Sequence, residues 1–183
     1  HYKEPEERLS DKTLASLCGK LIEMIQLELD GTPPKSDEEF RERVKELLDE
    51  KLAEVNGRLT LTSIDKAQIN RLVLNEVTGF GPIQPLLEDP EISEIMISGP
   101  DQVYVERNGK LEDTRVRFMD DDHVMRIVNR ILAPLGRRVD VDQQLADARL
   151  PDGSRVNIVI PPVAVDGALI TIRKFLESKL TMN

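Results

Sequence analysis

The sequence of 183 residues is poor in the residue types that most often carry chemistry. It has one cysteine, two histidines and no tryptophan, and its aromatic residues are two tyrosines and four phenylalanines. A single cysteine, Cys18, excludes an internal disulfide and favours a reducing compartment. Because single-stranded nucleic acids bind by stacking on aromatic side chains, so few of them argue against a nucleic-acid partner.

Three further features are missing from the sequence. No apolar run approaches the roughly 20 residues that cross a bilayer, and residues 1–7 do not resemble a signal peptide. No Gly-x-x-x-x-Gly-Lys-Ser/Thr motif is present, so the chain has no P-loop. Asp120, Asp121 and Asp122 lack the alternate spacing of a calcium loop. His123 has no second ligand at metal spacing and is expected to be exposed or to cap a helix, so we expect no metal site.

The net charge of −9 is unevenly distributed along the chain. Residues 1–75 carry four more acidic than basic side chains, residues 76–135 carry six more, and residues 136–183 carry one more basic than acidic side chain. The overall charge argues against general binding to nucleic acid or acidic membranes, because phosphate affinity needs clustered Lys and Arg. The arginine-rich last quarter is the exception.

Residues 1–75 show the 3.6-residue apolar period of amphipathic helices, and three helices are predicted. The first carries Cys18 on its apolar stripe, which predicts a buried structural thiol, and ends at Asp30-Gly31. The second begins at Ser36 with a capping box, and the third begins near Thr62. The short connections favour an antiparallel bundle.

The pattern changes after Gly79-Phe80-Gly81-Pro82, which interrupts the helical period and marks a boundary. Beyond it, short alternating runs predict strands, and Asn108-Gly109 predicts a tight hairpin because both residues tolerate positive φ. Pro151-Asp152-Gly153 predicts a second hairpin. A helix between the hairpins begins near Asp120 and ends at Gly136. The predicted fold class is α+β: an N-terminal helical bundle, then a mixed domain with a largely antiparallel sheet and flanking helices.

Five arginines remain as candidate functional residues: Arg137, Arg138, Arg149, Arg155 and Arg173. A guanidinium stays charged at physiological pH, and its planar N–H donors fit phosphate oxygens in pairs. Two of them flank the second predicted turn and a third lies on a nearby strand, so convergence on one anion is one interpretation. The other is that each pairs with a local carboxylate. Four aspartates are available for this: Asp140, Asp142, Asp147 and Asp152. The residues alone leave both interpretations open.

Six blocks of the sequence resemble one family. The blocks are GFGPIQPLL (79–87), DPEISEIMI (89–97), QVYVERNGK (102–110), GRRVD (136–140), DARLPDGSRVN (147–157) and TIRKF (171–175). Together and in this order they are similar to the CpaF-type (Tad pilus) branch of the type II/type IV secretion ATPases, which drive pilus assembly or export. The resemblance covers roughly residues 75–176, whereas residues 1–75 resemble only a variable helical extension. Gln144 departs from the family, which has a proline there, and this affects the local loop path.

The resemblance implies a division of the chain into domains. Residues 1–75 are expected to form a helical module, and residues 76–176 a PAS-like α+β domain that is the N-terminal domain of a secretion ATPase. Residues 177–183 are expected to begin a linker to a RecA-like domain that holds the P-loop. The chain is therefore expected to be a fragment of a longer protein without its catalytic half.

The resemblance also implies roles for the arginines. Arg155 and Arg173 match positions that, in related traffic ATPases, reach the terminal phosphate of ATP held by the RecA-like domain. Arg149 is expected to be a third phosphate-contacting residue. Arg137 and Arg138 are expected to make inter-subunit or local structural contacts. No catalytic residue is expected in this chain, which by itself should need no cofactor and should not hydrolyse ATP.

For the full-length protein, the resemblance implies ATP hydrolysis with ATP and Mg²⁺ and self-assembly into a ring, with a hexamer expected. The implied partners are the RecA-like domain of the same chain and inner-membrane platform proteins of the secretion or pilus system. These partners imply a cytoplasmic protein, peripheral to the inner membrane. The implied role of this region is regulation and oligomerisation.

An alternative from another class is a stand-alone sensory or adaptor module whose sheet binds a small ligand or a protein partner. That alternative predicts a stop codon near residue 183 and no P-loop downstream. The sequence of the parent gene beyond residue 183 separates the two interpretations.

Overall fold

The computed structural model describes residues 8–29 and 36–175. These residues form two compact units that divide after Gly81. The helix end expected at Asp30-Gly31 and the linker expected over residues 177–183 lie outside the described residues. The first unit is helical, and the described β-strands all belong to the second.

The described residues of the first unit form three helices: α1 (Asp11–Glu28), α2 (Asp37–Asn56) and α3 (Ser63–Thr78). Each begins where a hydroxyl side chain accepts a hydrogen bond from a free backbone N–H of the first turn. The residues that do so are Ser10, Ser36 and Thr62. At α3, Thr62 and Asp65 cap each other reciprocally. The predicted helix starts at Ser36 and near Thr62 are confirmed. The capping box predicted at Ser36 is half formed, because the Ser36 hydroxyl accepts from the N–H of Glu39 but the described residues show no return bond from the Glu39 side chain.

The apolar stripes of the three helices pack together as one core. Its fully buried members include Leu21, Ile25, Leu47, Leu48 and Ile69. Cys18 belongs to the same core, and burial raises the pKa of its thiol to about 11. A thiol with that pKa is protonated at neutral pH, so Cys18 is a structural residue, as the periodicity predicts.

The second unit contains a six-stranded sheet in which every neighbouring pair of strands is antiparallel. The strands are β1 (Ile92–Ser98), β2 (Gln102–Arg107), β3 (Lys110–Asp113), β4 (Leu145–Arg149), β5 (Arg155–Val159) and β6 (Leu169–Arg173). Their order is β3-β2-β1-β6-β5-β4, which places the last strand beside the first. The unit also contains two α-helices, the short α4 (Gln84–Glu88) and α5 (Asp121–Leu132). The predicted α+β fold class is confirmed.

Both predicted hairpins are present. Asn108 and Gly109 join β2 to β3 with φ angles of 52° and 76°, the left-handed values that such a two-residue turn requires. The Pro151-Asp152-Gly153 turn joins β4 to β5, with a φ of 89° at its glycine. This second hairpin places Arg149 directly opposite Arg155.

The sheet has one buried face and one face that is exposed on β4, β5 and β6. Along β5, Val156 and Ile158 are buried while Arg155 and Asn157 are exposed, which is the alternation of a half-buried strand. The core residues of this unit come from the buried face of the sheet and from the apolar side of α5. They include the fully buried Ile95, Ile97, Ile127, Leu132 and Ile158. The core therefore lies on the side of the sheet away from Arg155.

His123 lies in the first turn of α5, and of its two expected roles capping fits the structure. Its Nδ1 accepts a hydrogen bond from the backbone N–H of Met119 at 3.1 Å, just before the helix. The ring is buried rather than exposed, and it packs edge-on against Phe118 with 5.2 Å between ring centroids.

Candidate functional site

Three of the candidate residues lie in one row across the sheet. Arg149 of β4 is directly opposite Arg155 of β5, and Arg155 is directly opposite Arg173 of β6. Directly opposite residues of an antiparallel pair project from the same face, so the three side chains share the exposed face. We call Arg149, Arg155 and Arg173 the arginine row.

The arginine row has little neutralising charge around it. Arg173 Nε lies 3.7 Å from Glu94 Oε1, but the Arg173 side chain is 78% exposed, so this ion pair contributes little. Within residues 8–29 and 36–175, the side chains of Arg149 and Arg155 have neither an ion pair nor a hydrogen bond. Their N–H donors are available to a ligand.

The nearest aspartates in sequence are bonded to other groups. Asp147 Oδ1 accepts a hydrogen bond from Asn157 Nδ2 at 2.7 Å. Asp152 Oδ1 accepts one from the backbone N–H of Ser154 at 2.8 Å and so stabilises the turn. Pairing with local carboxylates therefore does not account for Arg149 or Arg155.

This arrangement opposes folding, because like charges directly opposite each other on neighbouring strands are destabilising. Binding sites commonly sacrifice stability in this way, since the groups that must meet a ligand are held together before it arrives. Three guanidinium groups on one face offer many N–H donors to the oxygens of an anion. The chemistry that fits the arginine row is therefore recognition of an oxyanion.

The arginine row lines an open cleft of about 720 Å³. The residues two positions away on the same strands, Asp147, Asn157 and Thr171, oppose one another and continue the cleft. Towards the turn, the row also lines a second depression of about 530 Å³, together with Lys174 and Phe175. An anion can therefore reach the row from both sides.

Arg137 and Arg138 are adjacent in sequence but differ in position. Arg137 lines the same cleft as the arginine row and donates a hydrogen bond from Nη1 to the carbonyl oxygen of Asp147. Arg138 is 84% exposed, and its Nε lies 3.5 Å from Asp140 Oδ2. Arg138 thus lies beside a local carboxylate outside the lining of the cleft, and Arg137 lines the cleft together with the arginine row.

Arg107, near the opposite edge of the sheet, donates hydrogen bonds to three carboxylates. Its Nη1 donates to Asp89 Oδ2 at 2.9 Å and to Glu91 Oε2 at 3.0 Å, and its Nε donates to Glu112 Oε2 at 3.3 Å. These bonds raise the pKa of Arg107, and the bond to Asp89 has the largest effect. The backbone N–H of Glu91 and then the Arg107 guanidinium lower the pKa of Asp89. We call these four residues the Arg107 cluster.

Reasoning from the sequence treats Asp147 only as a partner for arginine and passes over Asn157 and Thr171. The two-residue alternation of a strand could have identified Asn157 and Thr171, because residues two positions from Arg155 and Arg173 lie on the same face of the sheet as these arginines. Lys174 borders the second depression, but its Nζ donates to the carbonyl oxygens of Leu86 and Asp89, and burial lowers its pKa. Lys174 therefore belongs to the structural contacts.

The described residues include no group of His, Cys, Asp and Glu side chains arranged to hold a metal ion. None of the helices among them is long and apolar enough to cross a membrane. The arginine row and the cleft it lines therefore have the clearest chemistry for comparison with known proteins.

The profile of the family described as Type II/IV secretion system protein matches residues 76–183. The chain belongs to this family. The matched range contains every strand of the sheet and all five candidate arginines.

Relatives within and around this family match the chain to different extents. A Mycobacterium tuberculosis protein named for conjugal transfer is 31% identical over 109 residues, covering 56% of this chain and 31% of the relative. An uncharacterised protein of Methanocaldococcus jannaschii is 26% identical over 196 residues, covering 97% of this chain and 34% of the relative. The type IV secretion system protein VirB11 of Brucella suis is 31% identical over 94 residues, covering 51% of this chain and 26% of the relative. The chain thus spans about a third or less of the length of these relatives.

A solved structure with a similar fold is also known. It is the VirB11 ATPase from the Brucella suis type IV secretion system, crystallised in complex with sulphate. Its TM-score to this chain is 0.51 at 28% identity, and the match covers 55% of this chain and 30% of that one. The mixed α+β fold of the second unit is similar to the N-terminal region of VirB11.

Proposed function

We propose that this chain is the N-terminal regulatory and oligomerisation region of a cytoplasmic ATPase that powers pilus assembly or protein secretion. Within the family, the six blocks of sequence favour the CpaF-type (Tad pilus) branch. The arginine row contributes donors to an ATP site that is completed by a RecA-like domain elsewhere in the same protein. Membership of the family and the fold shared with the VirB11 ATPase support this proposal.

The observation that carries the proposal is the like-charged row itself. Three arginines oppose one another on neighbouring strands, and two of them lack any partner in the described part of the chain. Such a row is best explained by a ligand that supplies the missing negative charge. The VirB11 ATPase was crystallised in complex with sulphate, a tetrahedral oxyanion like a phosphate group, which fits this class of ligand.

The residues present fit the phosphate part of ATP and not its metal. Guanidinium donors match phosphate oxygens, whereas no cluster of metal ligands occurs among the described residues. Carboxylates or hydroxyls that hold Mg²⁺ would therefore come from the RecA-like domain. When bound, ATP supplies the terminal phosphate, and the arginine row would neutralise the charge that develops on it.

The same contact would make this region regulatory. Arginines that reach the terminal phosphate across a domain boundary hold the two domains together only while that phosphate is present. Release of the phosphate would then free one domain to move against the other. In a ring, here proposed to be a hexamer, that movement would act on platform proteins in the inner membrane, with the ATPase peripheral to the membrane through these partners.

The test is ATP turnover by the natural full-length protein carrying Arg155→Ala or Arg173→Ala. Loss of one preorganised donor to a transition-state oxyanion typically costs about a hundredfold, so a decrease of that order is expected in each variant. Arg138→Ala is the matched control, because Arg138 is exposed and paired with Asp140 away from the cleft. Circular dichroism establishes that each variant is folded.

Unchanged turnover in both row variants would overturn the assigned role of the arginines. A parent protein without any P-loop would overturn the ATPase proposal as a whole, and it would favour the alternative of a sensory or adaptor module.

A further inference from the structure

Arg137 lies at the cleft because of the way the chain leaves the 3-10 turn (Ala133–Leu135) that follows α5. Gly136 has a φ of 65°, and its N–H bonds to the carbonyl of Ala133 at 3.0 Å. The N–H of Arg137 bonds to the carbonyl of Leu132 at 3.2 Å. A left-handed glycine with two such bonds ends a helix and turns the chain sharply. The backbone at Arg137 is therefore fixed by hydrogen bonds independent of any ligand.

The Arg137 side chain is held at the outer side of β4, which is an edge strand of the sheet. Its Nη1 donates to the carbonyl oxygen of Asp147. That bond uses one of five N–H donors, and within the described residues the guanidinium has no ion pair and no other hydrogen bond. A guanidinium already fixed by one bond loses less conformational entropy when its remaining donors bind an anion.

The charge at the cleft extends further than one phosphate group. The arginine row spans two interstrand spacings, about 10 Å, and Arg137 adds a cation beyond β4. Of the residues that line this cleft, Asp147 has the one carboxylate, and its Oδ1 is bonded to Asn157. The lining of the cleft thus contains four guanidinium groups and one carboxylate, and Glu94, which lies 3.7 Å from Arg173 Nε, is not part of that lining.

We propose that Arg137 is a fourth anion-binding residue and that the cleft takes a chain of phosphates, as in a nucleoside triphosphate, rather than one phosphate group. This inference rests on the proposed function and deepens it. Arg137 binds the part of the phosphate chain that extends past β4, while the arginine row binds the terminal phosphate.

The test is isothermal titration of the 183-residue chain with tripolyphosphate and, separately, with orthophosphate at low ionic strength. Tripolyphosphate should bind more tightly than orthophosphate. Arg137→Ala should weaken tripolyphosphate binding by about tenfold, the typical effect of one charge-assisted hydrogen-bonding group. Arg137→Lys should recover only part of that affinity, because an ammonium lacks the planar fork. Arg138→Ala, which removes the adjacent charge, should leave the affinity unchanged.

The outcomes separate this inference from the proposed function. If Arg155→Ala weakens binding and Arg137→Ala does not, the role of Arg137 is wrong and that of the arginine row stands. Equal affinity for tripolyphosphate and orthophosphate contradicts the elongated site. An absence of saturable binding to the wild-type chain also overturns the inference, whereas the proposed function is then decided by the turnover of the full-length protein.

Discussion

The two ends of the sheet use the same residue type in opposite ways. On the β1–β2 side, Arg107 donates to three carboxylates within 3.3 Å and its side chain is 28% exposed. On the β4–β6 side, the arginine row is exposed, and one ion pair of 3.7 Å is its sole partner in the described structure. The sequence contains enough acidic residues to neutralise both ends, since its net charge is −9.

The difference shows how a stabilising arginine can be told from a binding one. A guanidinium whose donors are used within the fold has a raised pKa and lowers that of its partners, as at Arg107 and Asp89. A guanidinium kept for a ligand is left without partners, at a cost to the stability of the fold. We therefore interpret Arg107 as a structural residue and the arginine row as a site for an anion.

The largest expected contrast is in thermal stability. Arg107→Ala should lower Tm by several degrees, because three carboxylates lose their common partner. Arg155→Ala should leave Tm unchanged or raise it, because no bond within the described chain is lost. Thermal unfolding followed by circular dichroism measures both. Arg126→Ala, on an exposed position of α5, controls for the loss of one positive charge. Equal losses of Tm in the two variants would contradict the distinction.

The sequence predicts the local part of this site and misses the non-local part. Asn108-Gly109 and Pro151-Asp152-Gly153 encode their turns directly, so the opposition of Arg149 and Arg155 follows from a hairpin that is visible in the sequence. The position of Arg173 depends on β6 pairing with both β1 and β5. The alternation of apolar and polar residues along a strand predicts which face of the sheet a residue occupies. It does not predict the order of the strands, so it cannot place Arg173 beside Arg155.

The same limit applies to individual partners. The sequence offers aspartates near four of the five candidate arginines, and only the structure shows that Asp147 is bonded to Asn157 and Asp152 to its own turn. Arg137 reaches the cleft through the capped end of the 3-10 turn that follows α5. That end is predicted at Gly136, but the direction in which the chain leaves it is not.

The response to salt gives a smaller contrast. Because the charges of the arginine row repel one another, Arg155→Gln should stabilise the fold at low ionic strength by about 0.5 kcal/mol, equivalent to a rise in Tm of roughly 1–2 °C. The gain should disappear at about 1 M salt, where charges are screened within about 3 Å. Arg138→Gln removes the same charge outside the row and should give no such gain. A salt-independent difference would mean that repulsion within the row is negligible.

The response to acid should be the smallest effect, and of the two ends of the sheet it should involve the Arg107 cluster. The pKa of Asp89 is lowered in the folded state, so its contribution to stability is present above the unfolded pKa of about 3.9 and is lost as pH falls through the folded value. Asp89→Asn should therefore lower Tm at pH 7, and its curve should converge with that of the wild type towards pH 3. Asp101→Asn, at an exposed turn, should follow the wild type throughout. If the plots of Tm against pH for Asp89→Asn and the wild type are parallel, the Asp89 carboxylate has the same pKa in the folded and the unfolded chain. Arg107 would then be as weakly coupled to its carboxylates as the arginine row is.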